Sequence, residues 1–560
     1  MSESFDAIVI GSGFGGSVAA CRLSEVGLDV LVLERGRRWE PKNYPRDLDD
    51  AWLYDSSCPE RRNGWLEFHI FRNMIVATGA GVGGGSLVYA NVSAVPPEQR
   101  FEHGWPDEIR LDVLRPYYDT VGRMLAIEQI PDGQLTRRYK LLLDAAKAIG
   151  AENRFFKMDL AVRFDPAWNE QLEEPFDVKH SKVSNNAFGR PQGTCVHLGM
   201  CDIGCPVQAK NTLDLNYLAL AETNGAKVRP LHLVREIEPE DGGYRVRFKR
   251  LSETSRLVRD ESAWAKVVVL GAGSIGSTEL LLRCKRRALP RISDCVGRDW
   301  SSNGNFLTPG VYNEDDPKHN RVRRELNPTY GPTITGGISY LDGSSPGGHR
   351  YTVEEGGAPP MLRGYLQHRL GGGALKARNW RTKIVLLAIQ RHLRKHEELA
   401  HVMPWFANGV DAANGRLFLG RRWLKPWERR LKMRWQITRS EKMINAIIDR
   451  HRELCEKTGG RIHVPPTWRL FRDLVTPHPL GGCNMGKGPE DGVVDHTGKV
   501  FGYDGLYVLD GAVVPEAIGI NPSRTIAALA ERNVRFVIEA LGRTPPAQPW
   551  VPPEPTSSEA

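Results

Sequence analysis

A glycine turn wedged between a strand and a helix constrains this chain more than any other feature. Ala7-Ile8-Val9-Ile10 is an unbroken apolar run, as expected of a parallel strand covered on both faces. Gly11-x-Gly13-x-x-Gly16 follows at once, and helix-compatible residues run from Ser17 to about Val26. Gly27 stops the helix, and Val30-Leu31-Val32-Leu33 forms a second strand that ends on Glu34. This βαβ order predicts a Rossmann-like unit. Gly11 allows the tight turn, Gly13 lets backbone approach a pyrophosphate, and Gly16 lets helix and strand pack closely. Phe14 and Gly15 open the helix, whose N-terminus faces the phosphates with its partial positive charge. Glu34 stands where an acid accepts hydrogen bonds from a ribose. The unit predicts a dinucleotide and does not separate NAD from FAD.

At 560 residues the chain exceeds one ordinary core, so at least two domains are expected. A second glycine run spans Gly79 to Ser86. Lys266-Val267-Val268-Val269-Leu270 leads into Gly271-x-Gly273-x-x-Gly276. No acid follows a next strand there, so this turn belongs to the same sheet and the same nucleotide. A hairpin is expected around Asp241-Gly242-Gly243, a strand at Leu506–Leu509 and a final helix from about Pro522. Residues 312–473 are rich in arginine and tryptophan and lack a nucleotide signature. The fold class expected is α/β, α+β overall. The nucleotide domain is split over 1–95, 190–311 and 474–544. A mixed sheet-and-helix substrate domain, 96–189 and 312–473, is inserted, and a disordered Pro-rich tail covers 545–560.

Lysine and arginine number 76 against 67 acids, a modest net charge of +9. That excess suits an anionic lipid or an acidic electron carrier better than nucleic acid. No apolar run reaches the roughly 18 residues of a membrane span. Met1-Ser2-Glu3-Ser4-Phe5-Asp6 enters the first strand without a basic flank, which reads as a cytoplasmic start.

Several motifs, in order, resemble the glucose–methanol–choline (GMC) oxidoreductases, and among them the flavin-dependent cholesterol oxidases. They are Ile10–Ser17, Gly79–Leu87, Leu270–Leu281, His478-Pro-Leu-Gly-Gly-Cys483 and Gly519-Ile-Asn-Pro-Ser523. The resemblance implies FAD rather than NAD. It sets Gly81, Gly84, Gly85 and Ser86 along the flavin, Val234 at the adenine through its backbone, and Asp510 and Gly511 at the pyrophosphate and ribityl chain. Gly271 belongs to the second glycine turn over the same cofactor, and Asn521 and Ser523 to the last motif.

The implied reaction takes a hydride from the carbinol carbon of a small-molecule alcohol and needs an acceptor for the hydroxyl proton. Histidine suits that task, because its pKa lies near working pH. His478, rigid between Pro477 and Pro479, and Asn521 are the pair implied. Asn521 and Pro522 also read as N-cap and N1 of the last helix. Cholesterol oxidases add a glutamate that isomerises the steroid, and Glu354 lies in about that region, with a solvent-exposed acid as the alternative. The alcohol expected is a bulky lipophile such as a 3-hydroxysteroid. Electrons go to oxygen, a quinone or a carrier protein. A GMC-type lyase that keeps FAD structurally is the other reading.

Nine cysteines do not make a disulfide framework, but Cys195, Cys201 and Cys205 cluster with C-x5-C-x3-C spacing ahead of Pro206. Three thiolates suit a [3Fe–4S] cluster, as in FAD-dependent glucose dehydrogenases. Zinc with His197, a redox disulfide or a merely cysteine-rich loop are the alternatives. Two basic, Trp- and Leu-containing stretches, Ala377–Lys395 and Arg421–Arg430, fit either peripheral contact with a lipid surface or a core helix with solvated arginines.

Overall fold

The structure, a computed structural model, describes residues 3–46, 50–253, 257–359, 399–422 and 425–553. The stretch 377–395, Trp423, Leu424 and residues 554–560 therefore lie outside the described residues.

The Gly-turn unit builds the centre of a seven-stranded sheet. Strand β1 (Glu3–Ile10) lies parallel to β2 (Val30–Leu33), and helix α1 (Phe14–Glu25) joins them. On its other side β1 pairs in parallel with β3 (Val258–Leu270), which runs through the second glycine turn into α2 (Gly273–Lys285). Lys227–Arg229 extends the sheet beyond β2, Leu506–Val508 pairs with β3, and the hairpin His232–Glu240/Gly243–Leu251 completes the far edge. Ile8, Val9, Val30 and Val268 are fully buried, as two covered faces require. The last helix, α3 (Ser523–Ala540), packs on α1. Their contact holds a buried ion pair, Arg22–Glu531, to which the Tyr217 hydroxyl donates at 2.7 Å.

A second, six-stranded sheet stands against this domain, in the order Arg461–Ile462, β4 (Phe306–Val311), β6 (Val402–Gly409), β5 (Tyr351–Glu355), Gly336–Ser339 and Phe155–Lys157. Side chains alternate between its faces. Tyr351, Val353, Met403, Trp405 and Ala407 join a core with Ile444, Ile447 and Leu454 of the helix Glu441–Lys457. Glu354 and Phe406, register partners, and Asn408 two residues further on lie on the opposite face.

Two sequence expectations change here. Phe306–Val311 was assigned to the nucleotide domain but is a strand of the second sheet, because its hydrogen bonds go to β6. The segment from 545 is held as far as 553 rather than disordered. Its Trp550 donates its N–H to Glu25 at 2.6 Å and accepts from Arg22 at 2.9 Å. Both are charge-assisted bonds that composition does not reveal. No described helix is long and apolar enough to cross a membrane.

Candidate active site

A cavity of about 1880 Å³ runs from the first glycine turn to the Phe406 face of the second sheet. Its nucleotide end is made of backbone. A Cβ on Gly16 would come within 2.1 Å of the Gly11 carbonyl oxygen, so only glycine lets α1 close onto the turn. A Cβ on Gly84, at φ +53, would stand 2.6 Å from the Gly13 Cα. The two glycine runs, some 70 residues apart in sequence, thus meet backbone to backbone.

Gly11, Gly13, Phe14, Gly15, Glu34, Gly84 and Gly85 all line this end. Glu34 Oε2 accepts from the N–H and hydroxyl of Ser12 at 3.1 and 2.7 Å, and Oε1 accepts from Gly36 N at 2.9 Å. Val234 also lines the cavity, beside a bulge that leaves Arg235 out of the hairpin register. A bulge frees backbone polar groups to meet a ligand. Gly271, Asp510, Gly511 and Ser523 line the middle. The buried Asp510 carboxylate accepts from Gly273 N at 2.8 Å, from Ser277, and from Ala512 N at 2.8 Å, which ties the second glycine turn to the last motif.

Three of the residues expected at the cofactor do not line the cavity. Gly16 packs beneath the turn, Gly81 abuts Trp39, and the Ser86 hydroxyl donates to Gly83 O at 2.8 Å while accepting from Leu213 N. They shape the loops rather than the surface. The glycine-floored groove with an acid at its end fits a dinucleotide.

The opposite end is made of side chains. Strand β7 (Leu474–Thr476) pairs in parallel with Met74–Gly79 and delivers His478 to the cavity wall. Removal from bulk water pushes its imidazole down to about 3, so it is neutral near pH 7. His478 Nδ1 lies 2.9 Å from Asn408 Oδ1. Asn408 Nδ2 donates to Glu354 Oε1 at 2.9 Å. Glu354 is 0% exposed, which overturns the expectation of a solvated acid. Burial, with help from neighbouring Glu355, pushes its carboxyl up to about 8 against the opposing influence of the Asn408 and Asn521 amides. Among the described residues, Glu354 Oε2 and Asn521 Oδ1 are both buried without a hydrogen-bond partner.

Asn521 does not cap α3: Pro522 holds the N-cap position without a side-chain bond, and the Asn521 amide turns to the cavity instead. Glu355 points to the helix side of the sheet and forms a fully buried ion pair with Arg138. Asn408 and Asn305 were missed from sequence. No motif surrounds either, and only the pairing of β4 with β6 brings them together, with Asn305 Nδ2 donating to Asn408 Oδ1 at 2.7 Å.

The cysteine loop gives the iron–sulfur expectation no support. Among the described residues no group of three or more His, Cys, Asp or Glu is placed to hold a metal ion. Burial pushes the Cys195 and Cys201 thiols up. His197, the zinc alternative, stacks on Trp168 at 3.9 Å, with Nε2 lying 3.0 Å from Gln134 Oε1. The loop instead lends Asp202 and Ile203 to the cavity wall. Lys210 braces it, donating to Cys201 O at 2.7 Å and to Leu87 O, just past the second glycine run, at 2.9 Å.

Comparison with known proteins decides the family. The family model described as GMC oxidoreductase matches residues 5–286, and its C-terminal counterpart matches 414–530. The chain belongs to the GMC oxidoreductases. This GMC oxidoreductase is 32% identical to a cholesterol oxidase of Mycobacterium tuberculosis over 95% of its own length and 91% of that protein. It is 30% identical to a cholesterol oxidase of Acinetobacter baumannii, over 95% and 94% of the two chains. A solved pyridoxine 4-oxidase from Mesorbium loti shares the fold of this GMC oxidoreductase, with a TM-score of 0.61 at 15% identity over 95% and 99% of the two chains.

Proposed function

We propose that this GMC oxidoreductase oxidises a bulky lipophilic alcohol, such as a 3-hydroxysteroid, to the carbonyl. The observation that carries the reading is a neutral His478 facing a cavity that also contains a glycine-floored nucleotide groove. FAD, when bound, supplies the hydride acceptor. Gly11, Gly13, Gly15, Glu34, Gly84 and Gly85 would hold it at one end, with Val234, Gly271, Asp510 and Gly511 along it.

His478 accepts the hydroxyl proton, as a neutral imidazole can. Asn521 offers its amide beside it. With its pKa at about 8, Glu354 has an ionised form near neutral pH that can take a proton and, once protonated, give it back, as shifting a double bond toward a new ketone requires. The cholesterol oxidase relatives support a steroid, and the apolar wall of Val92, Ile334 and Phe406 would accommodate one. Oxygen, a quinone or a carrier protein then takes the electrons.

The test is the purified protein itself under anaerobic conditions. It should be yellow, and a 3-hydroxysteroid should bleach it faster than a short alcohol does. A colourless protein, or a yellow one that forms product without bleaching, would sink the proposal and favour a lyase.

A lipid surface as the source of substrate is part of this reading. Ile70 at 74% exposure, Leu307 at 44% and Phe68 at 37% line the same cavity as Arg429 and Arg430. Residues 416–434, the hairpin that carries those arginines, hold eight basic residues and one acid. Apolar side chains rimmed by cations suit an anionic interface. Co-flotation with phosphatidylserine vesicles but not with neutral ones is expected. Equal recovery with both would remove the electrostatic part.

A further inference from the structure

We propose that Asn408, with Asn305 behind it, is a positioning residue. The amide pair holds the His478 imidazole with its proton on Nδ1 and so presents a bare Nε2 to the cavity as the proton acceptor. This rests on the reading of His478 given above and adds the device that fixes its tautomer.

Asn305 takes its orientation from the Asn303 backbone carbonyl, which can only accept. Its Nδ2 reaches the Asn303 carbonyl at 3.5 Å as well as Asn408 Oδ1 at 2.7 Å, and its Oδ1 lies 2.6 Å from the Thr476 hydroxyl, whose single proton is shared with the Ser302 carbonyl at 2.8 Å. Asn408, 0% exposed, is then constrained in turn. Its Oδ1 accepts from Asn305, so its Nδ2 must point the other way, where Glu354 Oε1 accepts at 2.9 Å. The second lone pair of Asn408 Oδ1 faces His478 Nδ1 at 2.9 Å. A carbonyl oxygen cannot donate, so the hydrogen in that contact belongs to Nδ1. A neutral imidazole carries one ring proton, and Nε2 is left as an acceptor.

Thr476 also accepts the His478 backbone N–H at 2.9 Å, so one hydroxyl anchors both the histidine backbone and the amide pair that orients its ring. In the reaction the hydroxyl proton moves to Nε2 while Nδ1 keeps its own. The resulting imidazolium stays bonded to Asn408 Oδ1.

Few charges compete. The Phe406 ring centroid lies 6.3 Å from that of His478, and Pro477 and Pro479 flank it in sequence. Glu354 is the ionisable group across Asn408, and beyond it Glu355 is paired with Arg138 on the other face of the sheet. The amide therefore separates the histidine from the glutamate while bonding both, which lets one titrate without reversing the other.

The tautomer can be read directly in the FAD-loaded enzyme labelled with [15N]histidine, using His478→Gln to assign the signals. The wild type should show a protonated Nδ1 and a bare Nε2 at residue 478. Asn408→Leu, close to isosteric, should mix the tautomers. It should also slow reduction of the flavin by alcohol by about 10²-fold, the low end of what a placed base supplies, with substrate affinity nearly unchanged. Asn408→Asp still accepts from Nδ1, so it should keep the wild-type tautomer and move the acidic limb of the rate profile to higher pH.

A wild-type enzyme protonated on Nε2 overturns the proposal. So does an Asn408→Leu enzyme that keeps the Nδ1 proton and a rate within about twofold. If Asn408→Leu does not fold, Asn408→Asp decides alone, and loss of the Nδ1 proton there refutes the idea. If no alcohol reduces the wild-type flavin, the proposed function fails while the tautomer is still measured.

Discussion

The two ends of the cavity are built from different materials. At the nucleotide end, glycines bring backbone against backbone, and the one conspicuous side chain, Glu34, is bonded to its own loop. At the reaction end, buried side chains bond to one another, from Thr476 through Asn305 and Asn408 to His478 and Glu354. Backbone sites tolerate no added atoms, whereas side-chain sites tolerate the atoms but depend on which proton sits where. Glu354 and Glu355 repeat the contrast on one strand. Both are 0% exposed and burial raises both carboxyls, but Glu355 pairs with Arg138 whereas Glu354 meets the neutral amide of Asn408.

The largest effect should come from breaking the backbone end. Gly16→Val places a side chain where even a Cβ meets the Gly11 oxygen at 2.1 Å. We expect colourless or insoluble protein, measured as flavin absorbance per mole of chain. A yellow variant melting near the wild type would mean that the turn is looser than its geometry.

Next comes the side-chain end. His478→Gln should retain FAD and thermal stability while alcohol-dependent flavin reduction falls by about 10²- to 10⁴-fold. Equal losses of flavin and rate would erase the distinction between the two ends.

Glu354→Gln should lower isomerisation far more than oxidation, and it carries a pH signature. The folded-state pKa of Glu354 is raised from its ordinary 4.5 to about 8. The unfolded chain thus releases this proton first. The contribution of Glu354 to stability is full below about pH 4.5 and is lost as pH rises through about 8. Glu354→Gln should gain on the wild type by about 1.4 kcal/mol per pH unit across that window, read from urea unfolding at several pH values. A difference that does not vary with pH would show that Glu354 is ionised in the fold.

The smallest effect is expected in the cysteine loop. Cys201→Ser changes a thiol whose backbone carbonyl, not its sulfur, takes the Lys210 bond. Rate, FAD content and melting temperature should hardly move, and iron should be absent from wild type and variant alike. Iron bound stoichiometrically would reopen the electron's exit route.

Much of this was legible in the residue order. The βαβ unit, the second glycine turn joining the same sheet and the Asp241–Gly242 hairpin could be read because each rests on local rules: apolar runs, turn glycines, an acid at a strand end. His478 and Asn521 were legible only through their motifs. Glu354 was placed on the chain, but its burial was not, since two adjacent glutamates look alike until the strand alternates them onto opposite faces. Asn305 and Asn408 were invisible, because about 100 residues separate them and an isolated asparagine carries no pattern. The cysteine spacing brings Cys195, Cys201 and Cys205 within electrostatic reach of one another, but spacing alone does not say what they hold.

By itself, then, the order of residues determined the nucleotide turn, where backbone conformation is set by which residues lack a Cβ. The tertiary structure alone decided the proton chemistry. Whether a carboxyl keeps its proton, and which imidazole nitrogen bears one, depends on burial and on hydrogen-bond partners that only long-range strand pairing supplies.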